Sequence, residues 1–345
     1  MTSNTTLPMT IETAQYQAAA AAVDAAASIL IVTHINPDGD AIGSLLGLGN
    51  ALRERYPHKP IDLVVDGGVP EFLQFLPGSE TVLSELMNEQ PTGQQAAWDL
   101  MISVDSSDEP RTGAAGIFGR AHSQQVINLD HHATNTGFGQ LHLVNARAVS
   151  ATEVVYDWLT QTGYTPSLNV AIPLLCGLVT DTLGFRTSNV SVRTLEIAQQ
   201  LMLAGASLTA ITQRALDSMS YAVLNLWKSV FSTIELENGL IWAVVTQADM
   251  QRVGDDADSG GLSGFLVKVK EAMISAVFTE QPDGSVELSF RSKPGYDVAS
   301  LALSLGGGGH RQASGATIPG PLPEAVSRVL PLLRTAVQSG SLNIR

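Results

Sequence analysis

Cysteine is almost absent. The 345 residues include one, Cys176, so no intrachain disulfide can form and no thiolate cluster exists to hold a structural zinc ion. That thiol lies in the apolar run 172–179 and reads as a small core hydrophobe. Basic residues are also scarce: 19 Lys and Arg stand against 33 Asp and Glu, a formal net charge of −14. Proteins that coat long nucleic acid are usually basic, so this balance disfavours a long DNA or RNA partner. A small anionic ligand stays compatible, because bound divalent cations reverse the local field. No Lys or Arg precedes Arg53, which leaves no basic n-region of a signal peptide. No apolar run approaches the roughly 20 residues that span a bilayer. The expected location is therefore the cytoplasm, without a membrane partner. The chain also lacks a G-x-S-x-G elbow and a G-x-x-x-x-G-K-[ST] loop, which removes the main support for a serine hydrolase or a P-loop enzyme.

What remains is a globular composition, 44% hydrophobic and 15% charged, long enough for about two domains. Residues 1–10 read as a loose tail, and the Ala-rich stretch 11–27 as a helix. Short apolar runs at 29–32, 61–65, 100–104 and 126–129 suit strands, and a helical pattern starts near Ala41. A further helix over 150–161 carries a capping-box pattern, Ser150 with Glu153. Strands alternating with helices imply a mostly parallel α/β sheet with flanking helices. Past residue 190 the texture changes. Segments 192–203 and 207–223 read as linking helices. Then come a strand at 240–246 and two strands, 272–278 and 286–292, around the turn Pro282-Asp283-Gly284. The end of the chain reads helix, glycine-rich loop, strand, helix. The expected division is 11–190, 191–224 and 225–345, the last a smaller α/β domain with a mixed sheet.

Four segments place metal-type ligands directly after apolar runs: His34-x-x-x-Asp38-x-Asp40, Asp105, Asp130-His131-His132, and Asp181. Open α/β sheets bind ligands outside the carboxyl ends of their strands, and the expectation is that all four fall there. Any one of these residues alone reads as a turn, a helix cap or a core histidine. Their recurrence at several strand ends reads as a site. Carboxylates with imidazole and no thiolate favour Mn²⁺ or Mg²⁺, with Fe²⁺ or Co²⁺ as alternatives. Asp38, Asp40, Asp105 and Asp181 carry four negative charges, which two divalent ions balance. Two ions about 3.5–4 Å apart activate water and polarise a phosphoryl oxygen for in-line attack.

The stretch His34-Ile-Asn-Pro-Asp-Gly-Asp-Ala-Ile-Gly-Ser44, with Val104-Asp105, Asp130-His131-His132 and Thr180-Asp181, resembles the four motifs of the DHH superfamily of phosphoesterases. The superfamily takes its name from the Asp-His-His triplet. The resemblance spans most of the chain and is nearest to the nano-RNase subgroup, which also dephosphorylates 3′-phosphoadenosine 5′-phosphate (pAp). It implies one metal on His34, Asp38 and Asp105, and a second on Asp40, Asp105, His131 and Asp181, with Asp105 shared. It also implies that His132 faces the scissile phosphate as a donor or general acid, and that Asp130 orients a ligand rather than binding metal.

In the C-terminal part, Gly306 to Gly309 precede His310-Arg311-Gln312-Ala313-Ser314-Gly315, which resembles the substrate-binding motif of the DHH-associated domain. Consecutive glycines let a backbone come close to a phosphate. Arg291 alternates against Val286, Leu288 and Phe290 and so points away from them. The resemblance makes Arg291, Ser292, Gly307, Gly308, Gly309 and His310 phosphate or nucleotide contacts. The implied reaction is hydrolysis of short oligoribonucleotides to mononucleotides and of pAp to AMP and phosphate. A cyclic-dinucleotide or linear-dinucleotide phosphodiesterase is the alternative, and a non-catalytic nucleotide sensor a weaker one. The implied cofactors are two divalent ions, Mn²⁺ first, then Mg²⁺ or Co²⁺. The implied partners are short RNA, dinucleotides or pAp, and a second copy of the chain as a homodimer.

Overall fold

The structure is a computed structural model that describes residues 11–86, 98–253 and 261–340. The tail reading of residues 1–10 lies outside the described residues. The chain divides into two compact units, Met1–Ser218 and Met219–Arg345.

The first unit is built on six parallel strands, β1 (Ile29–Val32), β2 (Ile61–Val64), β3 (Val82–Leu83), β4 (Trp98–Val104), β5 (Ser123–Asp130) and β6 (Leu141–Val144). Their spatial order is β3-β2-β1-β4-β5-β6. Both sheet faces are covered, which is why β1 is apolar throughout. Ile29 and Ile31 enter the larger core, and Leu30 and Val32 enter a smaller one with Met101 and Val126. The helices of this unit are α1 (Thr13–Ala25), α2 (Gly39–Arg55), α3 (Gly113–Ala121), α4 (Ala151–Gln161), α5 (Leu168–Asp181), α6 (Val192–Leu203) and α7 (Leu208–Ala215).

Helices α2 and α5 approach closely through glycine. A Cβ on Gly43 would sit 2.6 Å from the Pro173 carbonyl oxygen, and one on Gly177 would sit 2.7 Å from Asp40 Oδ1. Cys176 is fully buried in α5, where burial, then the charges of Asp40 and Asp38, pushes its thiol up to about 12.

The second unit holds α8 (Tyr221–Val230), β7 (Glu235–Glu237), β8 (Leu240–Val245), α9 (Gln247–Val253), α10 (Leu262–Leu266), β9 (Ile274–Glu280), β10 (Val286–Ser292), α11 (Ala299–Ser304), β11 (Gly308–His310), β12 (Ala313–Ile318) and α12 (Leu322–Ser339). Its sheet order is β11-β12-β10-β9-β8-β7; β8 and β9 are parallel and the other pairs antiparallel, so the sheet is mixed. Gly284, at φ 82°, closes the β9–β10 hairpin. Among the described residues no helix is long and apolar enough to cross a membrane.

Two local expectations change. The segment read as one helix over 207–223 is two helices, α7 and α8, because Ser220 starts a new one by accepting the Val223 N–H. The capping box at α4 is half formed. Ser150 Oγ accepts the Glu153 N–H at 3.1 Å, but the Glu153 carboxylate takes the N–H of Val149, one residue before the box position.

Candidate metal centre

The strand order reverses between β1 and β4, and that switch point is where an open parallel sheet leaves a crevice at its carboxyl end. His34 lies two residues past β1 and Asp105 directly after β4. His34 Nε2 is 3.6 Å from Asp105 Oδ2. Asp105 has φ 53°, a left-handed conformation that Asp tolerates better than most residues.

The loop after β1 leads into α2, where Asp38 caps the helix: its Oδ1 accepts the N–H groups of Asp40 and Ala41, each at 3.0 Å. Asp40 sits in the first turn, 1% exposed. The N-terminus of α4 holds it. Ala151 N–H donates to Oδ2 at 2.6 Å, and Thr152 donates its N–H and its hydroxyl to Oδ1 at 3.0 and 2.8 Å. A helix N-terminus is a favourable place for a carboxylate.

Asp130 ends β5 and is fully buried. Its Oδ1 accepts the His131 N–H and faces His132 Nδ1, both at 2.8 Å, while Oδ2 accepts from Asn135 at 2.6 Å. His131 Nε2 points the other way. It is 3.8 Å from Asp40 Oδ2, 3.6 Å from Asp105 Oδ1 and 3.6 Å from Asp181 Oδ2.

Asp181 does not follow a strand, contrary to the expectation for all four segments. It ends helix α5. Its stretch from Val170 to Val179 is apolar because that part of the helix is enclosed, packed against α2, and not because it is a sheet strand.

The structure therefore brings His34, Asp38, Asp40, Asp105, Asp130, His131, His132 and Asp181 into one locality. One ligand atom from each of His34, Asp38 and Asp105 lies within 4.8 Å of the others, and the same holds for Asp40, His131 and Asp181. Arg291, Ser292 and the glycine stretch belong to the second unit. There Arg291 Nη1 donates to the Phe290 carbonyl at 3.0 Å, and burial lowers its pKa. Ser292 is on the opposite face of β10, its hydroxyl donated to the Tyr296 carbonyl at 3.0 Å. The glycine-rich stretch is part loop and part edge strand: Gly306 and Gly307 turn the chain, and Gly308 begins the strand. Gly308 to His310 pair with β12, and a Cβ on Gly307 would fall 2.0 Å from the Gly315 carbonyl oxygen.

The donor set fits a hard divalent cation. Asp105 Oδ1 is buried with no hydrogen-bond partner among the described residues, and the imidazole–carboxylate separations of 3.6–3.8 Å exceed hydrogen-bond length. His34 Nδ1 contacts the Ile35 carbonyl at 2.8 Å and His131 Nδ1 the Ala148 carbonyl at 3.4 Å. A proton held on Nδ1 in this way leaves Nε2 as the nitrogen that could hold a metal.

The electrostatics point the same way. Burial, then the charges of Asp105 and Asp38, drives the Asp40 carboxyl well above its usual range; burial, then Asp40, Asp38 and Asp105, does the same to Asp181. Burial alone would lower His34 and His132. The contact and charge of Asp105 lift His34 to about 9, and the bond and charge of Asp130 lift His132 to about 9. Burial would raise Asp105, but His34, His132 and His131 hold it low. His131 is lowered by burial and then by His132. Several carboxylates buried together cost less when cations share the space.

Sequence reading missed Ala151, Thr152 and Asn135, which hold Asp40 and Asp130. The Ser150 cap marked the start of α4 but not that its first N–H groups face Asp40.

The chain matches the model of the DHH family N-terminal domain over residues 28–178 and that of the DHHA1 domain over 240–339. It is 35% identical over 307 residues to the bifunctional oligoribonuclease and PAP phosphatase NrnA of Thermus thermophilus, covering 89% of each chain. The fold is similar to that of an exopolyphosphatase-related protein from Bacteroides fragilis, with a TM-score of 0.84, 24% identity, and coverage of 96% of this chain and 100% of the other. RecJ from Thermus thermophilus, solved in complex with Mn²⁺, matches with a TM-score of 0.50 and 13% identity, over 97% of this chain and 56% of that one. Motifs, fold and the shared identity over most of both chains place this protein in the DHH family, as a phosphoesterase with a C-terminal DHHA1 domain.

Proposed function

We propose that this phosphoesterase hydrolyses short oligoribonucleotides to mononucleotides and pAp to AMP and phosphate. The observation that carries the chemistry is the convergence of His34 and His131, each through Nε2, on the carboxylates of Asp105, Asp40 and Asp181. The substrates follow from the relative with 35% identity, named an oligoribonuclease and PAP phosphatase.

In this reading His34, Asp38 and Asp105 hold one divalent ion, and Asp40, Asp105, His131 and Asp181 the other, with Mn²⁺ preferred and Mg²⁺ or Co²⁺ accepted. When bound, such ions supply Lewis acidity toward a phosphoryl oxygen and lower the pKa of water. The chain's own residues do the rest. Asp105 is shared between the two sets. Asp40 is fixed by the first N–H groups of α4. Asp130 holds the His132 ring through Nδ1. His132 presents its other nitrogen to the phosphate and gives a proton to the leaving oxygen as the P–O bond breaks. In the second unit, Arg291, Ser292, Gly307, Gly308, Gly309 and His310 bind the nucleotide or its second phosphate. Arg291 has the fork of donors that suits a phosphate. The catalytic domain spans 11–190, the helical linker 191–224 and the substrate-binding domain 225–345.

The test is product analysis of labelled 2- to 10-mers and of pAp, with Mn²⁺ and with Mg²⁺. Mononucleotides from the shortest RNAs and phosphate from pAp support the reading. Turnover confined to cyclic or linear dinucleotides replaces it with the dinucleotide phosphodiesterase, and turnover of none of them removes it.

A further inference from the structure

The buried Asp130 belongs to neither of the two proposed ligand sets, so its contacts show what it does. Its Oδ1 is used by His131 N–H and His132 Nδ1. Its Oδ2 accepts one strong hydrogen bond, 2.6 Å from the amide of Asn135. Asn135 is itself locked. Its Nδ2 lies 3.3 Å from the Ser106 carbonyl, its Oδ1 accepts the Gly137 N–H at 2.7 Å, and its own N–H donates to the His132 carbonyl at 3.1 Å.

The neighbouring residue adds a second tie. Thr136 donates both its N–H and its hydroxyl to the Ser107 carbonyl, at 2.8 and 3.1 Å. Asn128 on β5 donates to the same Ser106 carbonyl at 3.0 Å. The segment after β5 is thus stapled to the segment that follows Asp105 by hydrogen bonds from Asn135 and Thr136.

We propose that Asn135 is a positioning residue for the reaction: it fixes the Asp130 carboxylate, and through it the ring orientation of His132, while registering the His132 loop against the Asp105 loop. The geometry leaves little choice. A carboxylate with one oxygen shared by two donors and the other free would rotate about its last bond, and the His132 Nδ1 contact would rotate with it. Hydrogen-bond partners that orient a site residue typically carry about 10–100-fold in activity or metal affinity, and Asn135 reaches His132 through two such bonds in series, by way of Asp130. This inference deepens the proposed function, because it takes His132 as the group that faces the phosphate.

The simpler role for Asn135 is a turn cap through Oδ1 to Gly137 N–H, and two variants separate the roles. Asn135→Asp keeps an acceptor for Gly137 but loses the donor to Asp130. Asn135→Ala loses both. The readouts are kcat and KM on pAp, Mn²⁺ affinity by calorimetry, and the ¹⁵N shifts of the His132 ring in Mg²⁺-bound protein, assigned with His132→Gln.

The expected result is a kcat lower by about 10–100-fold in both variants. KM and Mn²⁺ affinity stay near wild type, and the His132 nitrogens move away from the Nδ1-protonated pattern in both. Wild-type kcat in Asn135→Asp with a loss in Asn135→Ala assigns only the turn cap and overturns the proposal. A parallel loss of Mn²⁺ affinity, or unmoved His132 shifts, overturns it too. If Asn135→Ala fails to fold, Asn135→Asp decides. If wild type turns over no pAp, the functional reading fails, and the shifts still decide whether Asn135 orients His132.

Discussion

Asp40 and Thr152 are 112 positions apart in sequence, yet Asp40 Oδ1 accepts both the backbone N–H and the hydroxyl of Thr152. The first turn of one helix is thereby pinned to the first turn of another at the point where the carboxylates of the site gather. Thr152→Val keeps the volume and the N–H but removes the hydroxyl. It is expected to cost about 1 kcal/mol of stability, the usual worth of such a bond, and to weaken one of two Mn²⁺ binding events. Thermal unfolding and calorimetric titration check this; an unchanged two-site titration counts against Asp40 as a ligand.

Gly177 tests the same pinning from the side of α5. A methyl there would meet Thr152 Cγ2 at 2.4 Å and Asp40 Oδ1 at 2.7 Å. Overpacking of this kind typically costs about 1–3 kcal/mol. Gly177→Ala is expected to lower the melting temperature and to reduce metal affinity, because Asp40 has to move. Wild-type metal affinity in a destabilised Gly177→Ala chain would separate the packing from the site.

The metal-free protein has a pH dependence whose sign is fixed. His34 and His132 are raised from 6.5 to about 9, so the stability they add is complete below 6.5 and is lost as pH climbs through about 9. Asp40 and Asp181, also raised, act in the same direction, favouring the fold while protonated and losing that as pH rises. His131 and Asp105, both lowered, act only as pH falls below their ordinary values. The melting temperature in EDTA is expected to fall between pH 6.5 and 9. Saturating Mg²⁺ flattens that slope, because His34 then carries an ion in place of a proton. A slope that Mg²⁺ leaves unchanged counts against His34 as a ligand.

Arg291 is half-buried, and its guanidinium donates to the carbonyl of its own neighbour, Phe290. Arg291→Ala is expected to raise KM for pAp by about tenfold or more, since one hydrogen bond to a charged group is worth about 1.5–3 kcal/mol, with Mn²⁺ affinity unaltered. An unchanged KM and kcat removes Arg291 from the substrate site.

Four strands of the first sheet were legible because they rest on pattern; β3 (Val82–Leu83) and β6 (Leu141–Val144), short edge-side strands, were not. Strands β1, β2, β4 and β5 each carry a short, mainly apolar stretch (29–32, 61–65, 100–104 and 126–129), three of which lead into His34, Asp105 and Asp130, and such stretches between helical periods are what a doubly covered parallel sheet produces. Asp181 was legible as a residue but not as to its element, because an enclosed helix such as α5 is as continuously apolar as a buried strand. The break between α7 and α8 was blurred because periodicity runs through it and a single serine cap decides it. Thr152 and Asn135 were out of reach for another reason. Each acts through hydrogen bonds to a distant carboxylate, which impose no spacing on its neighbours.

The central claim is that Asp105 lies between two divalent ions. The direct measurement is anomalous diffraction from a crystal grown with Mn²⁺, for wild type and for Asp105→Ala. The account predicts two manganese peaks about 3.5–4 Å apart in the wild type, one beside His34 and Asp38 and the other beside Asp40, His131 and Asp181, and loss of the pair in the variant. A wild-type map with no peak there, or a variant that keeps both, would contradict it.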